Sequence, residues 1–493
     1  MDQPKVCVVV IGNTMEELRR HRDAAGNADL VELRLDYVDR PDVAGALEGR
    51  RTPVVVTCRA SWEGGRFKGS EEERHRILET ALDRGADFVD TEAAASFTPD
   101  LVRKTGGRRV VVSEHDFDRA PADIPGRVAM LAAAGAEIVK LAVRVDRLEQ
   151  MLPLFDLART LGSSAGGHIF IAMGNAGLAS RILAARLGSR WTYAGDAVAP
   201  GQLTLGHLLR DFQFRRIAPD ADLYGVVGNP ITHSRSPVMH NAGFAAMGLN
   251  AVYVPLEAQD AGDFVRFARE SALRGASITT PFKVSLLPYL DEIDSLAKRV
   301  GAINTLVVRD GRWIGANTDV DGFLAPLRDR IRLEGARATV LGSGGAARAV
   351  AVALSGEGAN VTISARRPEA ARAIAELAHG SAGEYPPRGS SWDLLVNTTT
   401  AGSTAVPGNP MAGAPLDGRI VFDLVYAPAE TELLKRAKAA GCETIGGLAM
   451  LVAQAERQFE LWTGQKPPTG LFESVAAGAP TDVAPRIQSP GGL

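Results

Sequence analysis

A chain of 493 residues exceeds what one ordinary hydrophobic core organises, so two or three domains are expected. Its 45% hydrophobic and 23% charged residues are those of a soluble globular protein, and a net charge of −3 gives no reason to expect nucleic acid or a membrane surface as a partner. The three cysteines, Cys7, Cys58 and Cys442, make no metal-binding spacing, and MDQPKVCVVVIG lacks the pattern of a signal peptide, so a reducing, cytoplasmic setting is expected.

From the N-terminus, short β-rich runs recur with helical patterns between them. They are VCVVVIG (6–12), DLVELRLD (29–36), PVVVTCR (53–59), DFVDTEA (87–93), RVVVSEHD (109–116), EIVKLAVRV (137–145), HIFIAMG (168–174) and a weaker WTYAG (191–195). The segment SEEERHRILETALDR (70–84) opens Ser-x-x-Glu, a capping-box start. Eight βα units in a row predict a (β/α)8 barrel, with an open doubly wound sheet as the alternative. No glycine-rich phosphate loop follows the first run, which favours the barrel.

Such barrels carry their chemistry at the carboxyl ends of the strands. Glu32 and Arg34 lie in the second run, Arg59 ends the third, and Glu63 follows in its loop. His115 ends the fifth, Lys140 interrupts an apolar sixth, and Arg181 follows the seventh. Lys140, flanked by Ile138, Val139 and Leu141, is an amine in apolar surroundings, the setting of an amine nucleophile. Singly, each residue has a structural explanation: a buried ion pair for Lys140, a packed core histidine for His115, an ion-pair net for Glu32, Arg34 and Arg59. Their gathering at one end of one barrel argues for a site.

VELRLD, TCRASWEGG, SEHDF, VKLAV, GLASR and APGQ follow one another as they do in type I 3-dehydroquinate dehydratase, which residues 5–217 resemble. The resemblance implies Lys140 as the Schiff-base lysine, His115 as acid and base, and Glu63 as the group that tunes His115. It implies Arg181 on the substrate carboxylate, and Glu32, Arg34, Arg59 and Gln202 around its hydroxyls. No metal is implied. One departure stands out: the family's loop serine before Ala-Pro-Gly-Gln is Val198 here.

Past a short polar hinge at Pro219, Asp220 and Asp222, GNPITHSRSPVMH (228–240) follows the strand signal LYGVV. Ser234 and Ser236, before a proline that can start a helix, form a natural anion cradle. Strand signals NAVYVPLE, GASITTP and NTLVVRDGRWIGAN complete a small α/β domain, in which Lys283 follows Thr279-Thr280-Pro281-Phe282 and Asn304 and Asp319 lie in turn-like segments. This ordered set resembles shikimate dehydrogenase. The resemblance implies Lys283 and Asp319 as a catalytic pair, Ser234 and Ser236 on the substrate carboxylate, and Thr279, Asn304 and Asp319 on ring hydroxyls.

ATVLGSGGAARAVAVAL then reads as strand, glycine turn and helix, with Gly342, Ser343, Gly344, Gly345 and Ala346 where a pyrophosphate would approach. The next strand ends in Arg366 and Arg367 in place of the acidic residue that holds a ribose diol, which suits the 2′-phosphate of NADP(H). The resemblance further implies Asn397, Thr398, Thr399 and Gly447 near the cofactor, and Tyr426 and Gln454 near substrate.

The expected organisation is a dehydratase barrel over 1–218, a substrate-binding domain over 222–322, an NADP-binding Rossmann-type domain over 323–445, a returning helix over 446–474 and a disordered tail over 475–493. The expected function is dehydration of 3-dehydroquinate followed by NADPH-dependent reduction of 3-dehydroshikimate to shikimate. The expected partners are these small molecules, with an oligomer possible and neither nucleic acid nor membrane. Two rivals are an enzyme that oxidises quinate or shikimate, and a non-enzymatic quinate sensor. Arg366 and Arg367 argue against the first; the retained Lys140, His115, Lys283 and Asp319 argue against the second.

Overall fold

The computed structural model describes residues 3–161, 166–195, 202–231, 234–388 and 392–478. The chain divides into two compact units. Among the described residues, one holds those up to Asp222 together with Asn250–Ala272, the other Leu223–Leu249 together with Leu273–Gly478.

The first unit is built on eight parallel strands: β1 (Lys5–Val10), β2 (Leu30–Arg34), β3 (Val54–Thr57), β4 (Phe88–Glu92), β5 (Val110–Asp116), β6 (Ile138–Arg144), β7 (Gly167–Met173) and β8 (Trp191–Ala194). Each strand from β1 to β6 pairs with the next, and β8 returns to pair with β1, so the sheet curls into a nearly closed barrel. The seam between β7 and β8 is stitched by the Arg190 N–H on the His168 carbonyl (2.9 Å) and the Phe170 N–H on Ser189 Oγ (3.1 Å). The strands are rich in Val and Ile because both faces are covered, outside by helices and inside by the barrel's own filling. Cys7, Leu30, Val55, Val111, Ile138, Ile169 and Trp191 form an apolar floor within the barrel. Two residues further along several of these strands the inward positions turn polar, which is where the site begins. The capping box at Ser70 is present, with Glu73 closing it, and it starts the helix Glu71–Asp83. Strand β10 (Ala251–Glu257) and helix Ala261–Glu270 also cluster with this unit.

The second unit contains two sheets. In the first, β9 (Asp222–Gly228) lies parallel to β11 (Leu273–Ile278), which is followed across the sheet by β13 (Thr305–Arg309), β14 (Arg312–Ala316) and β12 (Glu292–Ile293). The run NTLVVRDGRWIGAN, expected as one strand signal, is an antiparallel hairpin. Asp310 and Gly311 both take positive φ, at 50° and 76°, as the tight turn between β13 and β14 requires. The second sheet is parallel, in the order β17 (Ser381–Gly383), β16 (Asn360–Ser364), β15 (Arg337–Leu341), β18 (Leu394–Asn397), β19 (Ile420–Asp423), β20 (Glu443–Gly446). Counted from its own first strand this order is 3-2-1-4-5-6, the doubly wound arrangement whose binding crevice opens beside the first strand.

Helix Gly447–Thr463 then packs against the first of these sheets, where Trp462 Nε1 donates to the Leu306 carbonyl at 2.9 Å. A last helix, Leu471–Gly478, corrects the expected tail over 475–478: Phe472 and Ala476 are fully buried and hold it in place. The remainder of the expected tail lies outside the described residues. Among the described residues no helix is long and apolar enough to cross a membrane.

Candidate active sites

Glu32, Arg34, Arg59, Glu63, His115, Lys140, Arg181 and Gln202 all line one cavity of about 110 Å³, whose wall also includes Tyr37, Phe117, Met173 and Tyr193. Lys140 projects into it because it lies two residues after Ile138 on β6, and Ile138 belongs to the apolar floor. Its Nζ lies 3.0 Å from Asp90 Oδ2 and 4.3 Å from the centroid of the Tyr193 ring. The other Asp90 oxygen accepts from Arg59 Nη2 at 2.7 Å, while Arg59 Nη1 reaches Glu92 (3.1 Å) and Ser113 Oγ (2.8 Å). Burial raises the cost of charge on Asp90, but Arg59 and Lys140 outweigh it and hold the carboxyl well below the usual range. Glu92 is in turn ion-paired with Arg74, which reaches it from the helix Glu71–Asp83.

His115 Nδ1 lies 2.9 Å from Glu63 Oε2. Burial, then the charges of Arg59 and Lys140, hold the imidazole well below its ordinary pKa. Burial pushes Glu63 up to about 8, even with Arg59 Nη1 3.8 Å from its carboxylate. The two groups therefore behave as one proton-holding unit. Below about pH 8, Glu63 is protonated and donates to Nδ1, which leaves the ring's hydrogen on Nε2. Above it, Nδ1–H donates to the carboxylate and Nε2 carries a free lone pair. The 2.9 Å contact thus lets the pair present Nε2 as a donor or as an acceptor, according to which partner holds the shared proton.

Two arginines of the lining also have protein partners. Arg59, expected on substrate hydroxyls, lines the cavity and has its guanidinium on Asp90, Glu92 and Ser113. Arg34 makes a two-pronged contact with Asp36, at 2.8 and 2.8 Å, and presents only part of its surface to the cavity. Arg181, on helix Leu178–Ile182, donates to the Ala172 carbonyl at 3.0 Å, and burial draws its pKa down to about 10. An arriving carboxylate would reverse that loss. Val198 and the rest of its loop up to Gly201 lie outside the described residues. Asp90, Glu92, Ser113 and Tyr193 were not singled out from sequence. Asp90 and Glu92 were visible as two acids at alternate positions of the strand signal DFVDTEA, a pattern that puts both on one face.

In the second unit, Lys283 Nζ lies 2.5 Å from Asp319 Oδ2. The other Asp319 oxygen accepts from Asn304 Nδ2 at 2.7 Å, and Asn304 Oδ1 in turn takes the Thr318 N–H at 2.7 Å. Asn304 is fixed from below by Gln458, whose Nε2 donates to its carbonyl at 3.0 Å and whose Oε1 accepts from Ser277 Oγ at 2.7 Å. Gln454, one turn earlier on that helix, brings Oε1 to 3.4 Å from Asn304 Nδ2. Thr279 stands at the end of β11 beside the end of β9, and the two approach so closely that a Cβ on Gly228 would sit 2.6 Å from the Thr279 methyl. Beyond Gly228, Ser234 Oγ accepts the Ser236 N–H at 3.2 Å, and buried Ser236 opens the helix Ser236–Ala246. Tyr426 is half-buried, and burial raises its pKa against the nearby charge of Arg235.

The turn after β15, where a pyrophosphate is expected, is built on close backbone approaches. Gly342 has φ 119°, and a Cβ there would meet Thr398 Oγ1 at 2.6 Å. Gly344 has open space on its side, Ser343 and Ala346 flank it in the turn and first helical residues, and helix Gly345–Gly356 starts there. The same helix start approaches the other site residues: a Cβ on Gly345 would sit 3.1 Å from Lys283 Cδ. Arg366 and Arg367 are exposed just past the end of β16, next to β15. Thr398 is tied to the Leu341 carbonyl at 2.7 Å, and Gly447 packs on the Leu424 carbonyl, which a Cβ would approach to 2.2 Å. Asn397, expected near the cofactor, is engaged by protein partners. Its amide donates to Asp423 at 2.8 Å and its carbonyl oxygen accepts both Thr399 donors, at 3.0 and 2.7 Å, so it shapes the strand ends from beneath.

Comparison with known proteins matches residues 6–218 to the family model of type I 3-dehydroquinase. Residues 226–306 match the shikimate dehydrogenase substrate binding domain, and 447–476 the shikimate 5′-dehydrogenase C-terminal domain. The chain is 34% identical over 95% of its length to the bifunctional 3-dehydroquinate dehydratase/shikimate dehydrogenase of Arabidopsis thaliana chloroplasts, 83% of which is covered. It is 40% identical over 51% of its length to the NADP(+) shikimate dehydrogenase of Shouchella clausii, 96% of which is covered. Among solved structures, shikimate dehydrogenase from Aquifex aeolicus superposes with a TM-score of 0.50 at 35% identity, covering 52% of this chain and 98% of that one. A shikimate dehydrogenase in complex with NADP+ gives 0.50 at 33%, covering 53% and 96%.

The Glu63–His115 pair makes a direct prediction. Nitrogen NMR of labelled protein should show the His115 ring neutral from pH 6 to 9 and switching tautomer, from hydrogen on Nε2 to hydrogen on Nδ1, with a midpoint of about 8. Glu63→Gln should abolish the switch. A single tautomer across that range in the native protein would contradict the assignment.

Proposed function

The chain belongs to the bifunctional 3-dehydroquinate dehydratase/shikimate dehydrogenase family, and from that premise we propose how its two clusters carry out consecutive steps of the shikimate pathway. The observation that carries the proposal is the pair of separate Lys–Asp constellations, Lys140–Asp90 in the barrel and Lys283–Asp319 in the second unit.

In the barrel, Lys140 condenses with the ketone of 3-dehydroquinate. The resulting iminium draws electrons from the adjacent carbon and makes its C–H acidic enough for an imidazole base. From the form in which Glu63 is ionised and Nδ1 carries the ring's hydrogen, His115 Nε2 takes that proton and Nδ1–H passes to Glu63, whose pKa burial raises to about 8. The protonated Nε2 then delivers the hydrogen to the departing hydroxyl, and Glu63 returns its own. Arg181 receives the substrate carboxylate from a buried position, where a charge-assisted contact is strong. Glu32, Arg34 and Gln202 surround the hydroxyls.

In the second unit, Ser234 and Ser236 hold the carboxylate of 3-dehydroshikimate at a helix start, and Thr279, Asn304, Tyr426 and Gln454 face its ring. Lys283 and Asp319 flank the reacting oxygen, and Lys283 holds a proton there as negative charge develops. NADPH, when bound, supplies the hydride. The glycine turn Gly342–Gly345 and the start of its helix would take the pyrophosphate, and Thr398, Thr399 and Gly447 would line its path. Arg366 and Arg367 would take the 2′-phosphate, since exposed guanidinium groups past the second strand leave room for a charged group. The three free, buried thiols suit a reducing compartment, and a cytoplasmic location is part of the proposal.

Incubation with 3-dehydroquinate and borohydride tests the first step: ligand mass should become fixed to the peptide containing Lys140. If label appears only on other lysines, or on none, the iminium mechanism is wrong for this chain. For the cofactor, replacing Arg366 and Arg367 with neutral residues should weaken NADP+ binding by about tenfold or more and leave NAD+ binding little changed, because a charge-assisted bond contributes roughly 1.5–3 kcal/mol. Equal losses for both cofactors in a titration would show that the arginines serve the fold or the shared pyrophosphate.

A further inference from the structure

The alternate-strand layering of a (β/α)8 barrel accounts for the company Lys140 keeps. Such barrels are filled by layers of four side chains, each layer drawn from every second strand. Glu32 on β2, Asp90 on β4, Lys140 on β6 and Tyr193 on β8 are all buried and come from the four even-numbered strands. Asp90 meets the lysine nitrogen edge-on through a hydrogen bond of 3.0 Å, and Tyr193 meets it face-on, its centroid 4.3 Å away. The ring has little freedom to turn aside, since it is 5% exposed and packs edge-to-face on Trp191 with centroids 6.5 Å apart.

The geometry points to Tyr193 as a further catalytic residue of the dehydratase, whose ring face stabilises the positive charge on the Lys140 nitrogen throughout the reaction. This inference rests on the lysine mechanism proposed above. Condensation of the ammonium with the ketone forms the C=N bond, releases the ketone oxygen as water, and leaves the nitrogen with one N–H and its positive charge. Three donors become one. Asp90 can use that single N–H, but the charge also spreads over the C=N unit, perpendicular to which there is no hydrogen left to donate. A π face attracts a cation without needing an N–H. The ring therefore keeps its interaction in the iminium just as the hydrogen-bonding capacity of the nitrogen falls. An aliphatic side chain of similar bulk would fill the space and lose the attraction.

The test replaces Tyr193 in the full chain with phenylalanine and then with mono-, di- and trifluorinated phenylalanines, which keep the shape and progressively drain the ring face. Dehydration kcat and the rate of borohydride trapping at Lys140 should fall stepwise with each fluorine, by roughly 2- to 30-fold across the series, the range of a cation–π contact. KM should change less, since the ring faces the lysine nitrogen and the iminium it must hold forms only after binding. Tyr193→Leu should lose at least as much as the trifluorinated variant, and shikimate oxidation should stay unchanged in all of them. Rates indifferent to fluorination would reduce Tyr193 to packing and overturn the inference. Absence of any Lys140 adduct in the native enzyme would overturn the lysine mechanism on which it rests, a distinct result.

Discussion

The barrel site depends on one constraint: Asp90 must remain an anion while fully buried. A carboxylate removed from water is costly unless paired and hydrogen-bonded, and Asp90 meets both conditions through Arg59 and Lys140. Arg59 in turn needs Glu92, and Glu92 needs Arg74, so the network runs from the catalytic lysine to the helix outside the sheet. Removing one member of such a buried set typically costs about 3–5 kcal/mol, because the remaining charge is left uncompensated. The same network places two cations beside His115, and these, added to burial, keep its ring neutral. Fold and chemistry thus draw on the same charges.

The second unit uses the same two residue types for another end. Lys140 lies within a strand at the bottom of a cavity, where its nitrogen can be reached by a carbonyl carbon. Lys283 lies on a short helix after β11, with its side chain 17% exposed, next to the start of helix Gly345–Gly356. In the proposed reaction that nitrogen flanks an oxygen and manages its proton. Orientation of Asp319 comes from Asn304, and that of Asn304 from Gln458, so the returning helix Gly447–Thr463 is part of the site's scaffold.

Much of the barrel was legible because its strands are apolar and its functional groups are not. Lys140, His115 and Glu32 stand out against Val, Ile and Leu, and every polar residue singled out there does line the cavity. Asp90 and Glu92 escaped notice since acids in DFVDTEA pass for an exposed strand face until the closed barrel shows that face to be interior. Tyr193 escaped because an aromatic residue in a weak strand signal is ordinary core material. Arg59 and Asn397 have partners that the sequence did not reveal. Both lie where a ligand contact is expected, but partners distant in sequence, Asp90 and Glu92 for one and Asp423 for the other, engage their donors. The hairpin at Asp310–Gly311 was hidden inside one long β-rich run.

The central claim is that one chain holds two chemically complete and independent sites that act in succession. Its most direct test is product analysis of three full-length proteins, each given 3-dehydroquinate and NADPH. The native protein should yield shikimate. Lys140→Met should leave 3-dehydroquinate untouched and still oxidise added shikimate with NADP+, while Lys283→Ala should stop at 3-dehydroshikimate. Loss of both activities from either substitution in a folded protein, or shikimate formed by either variant at the native rate, would contradict the account.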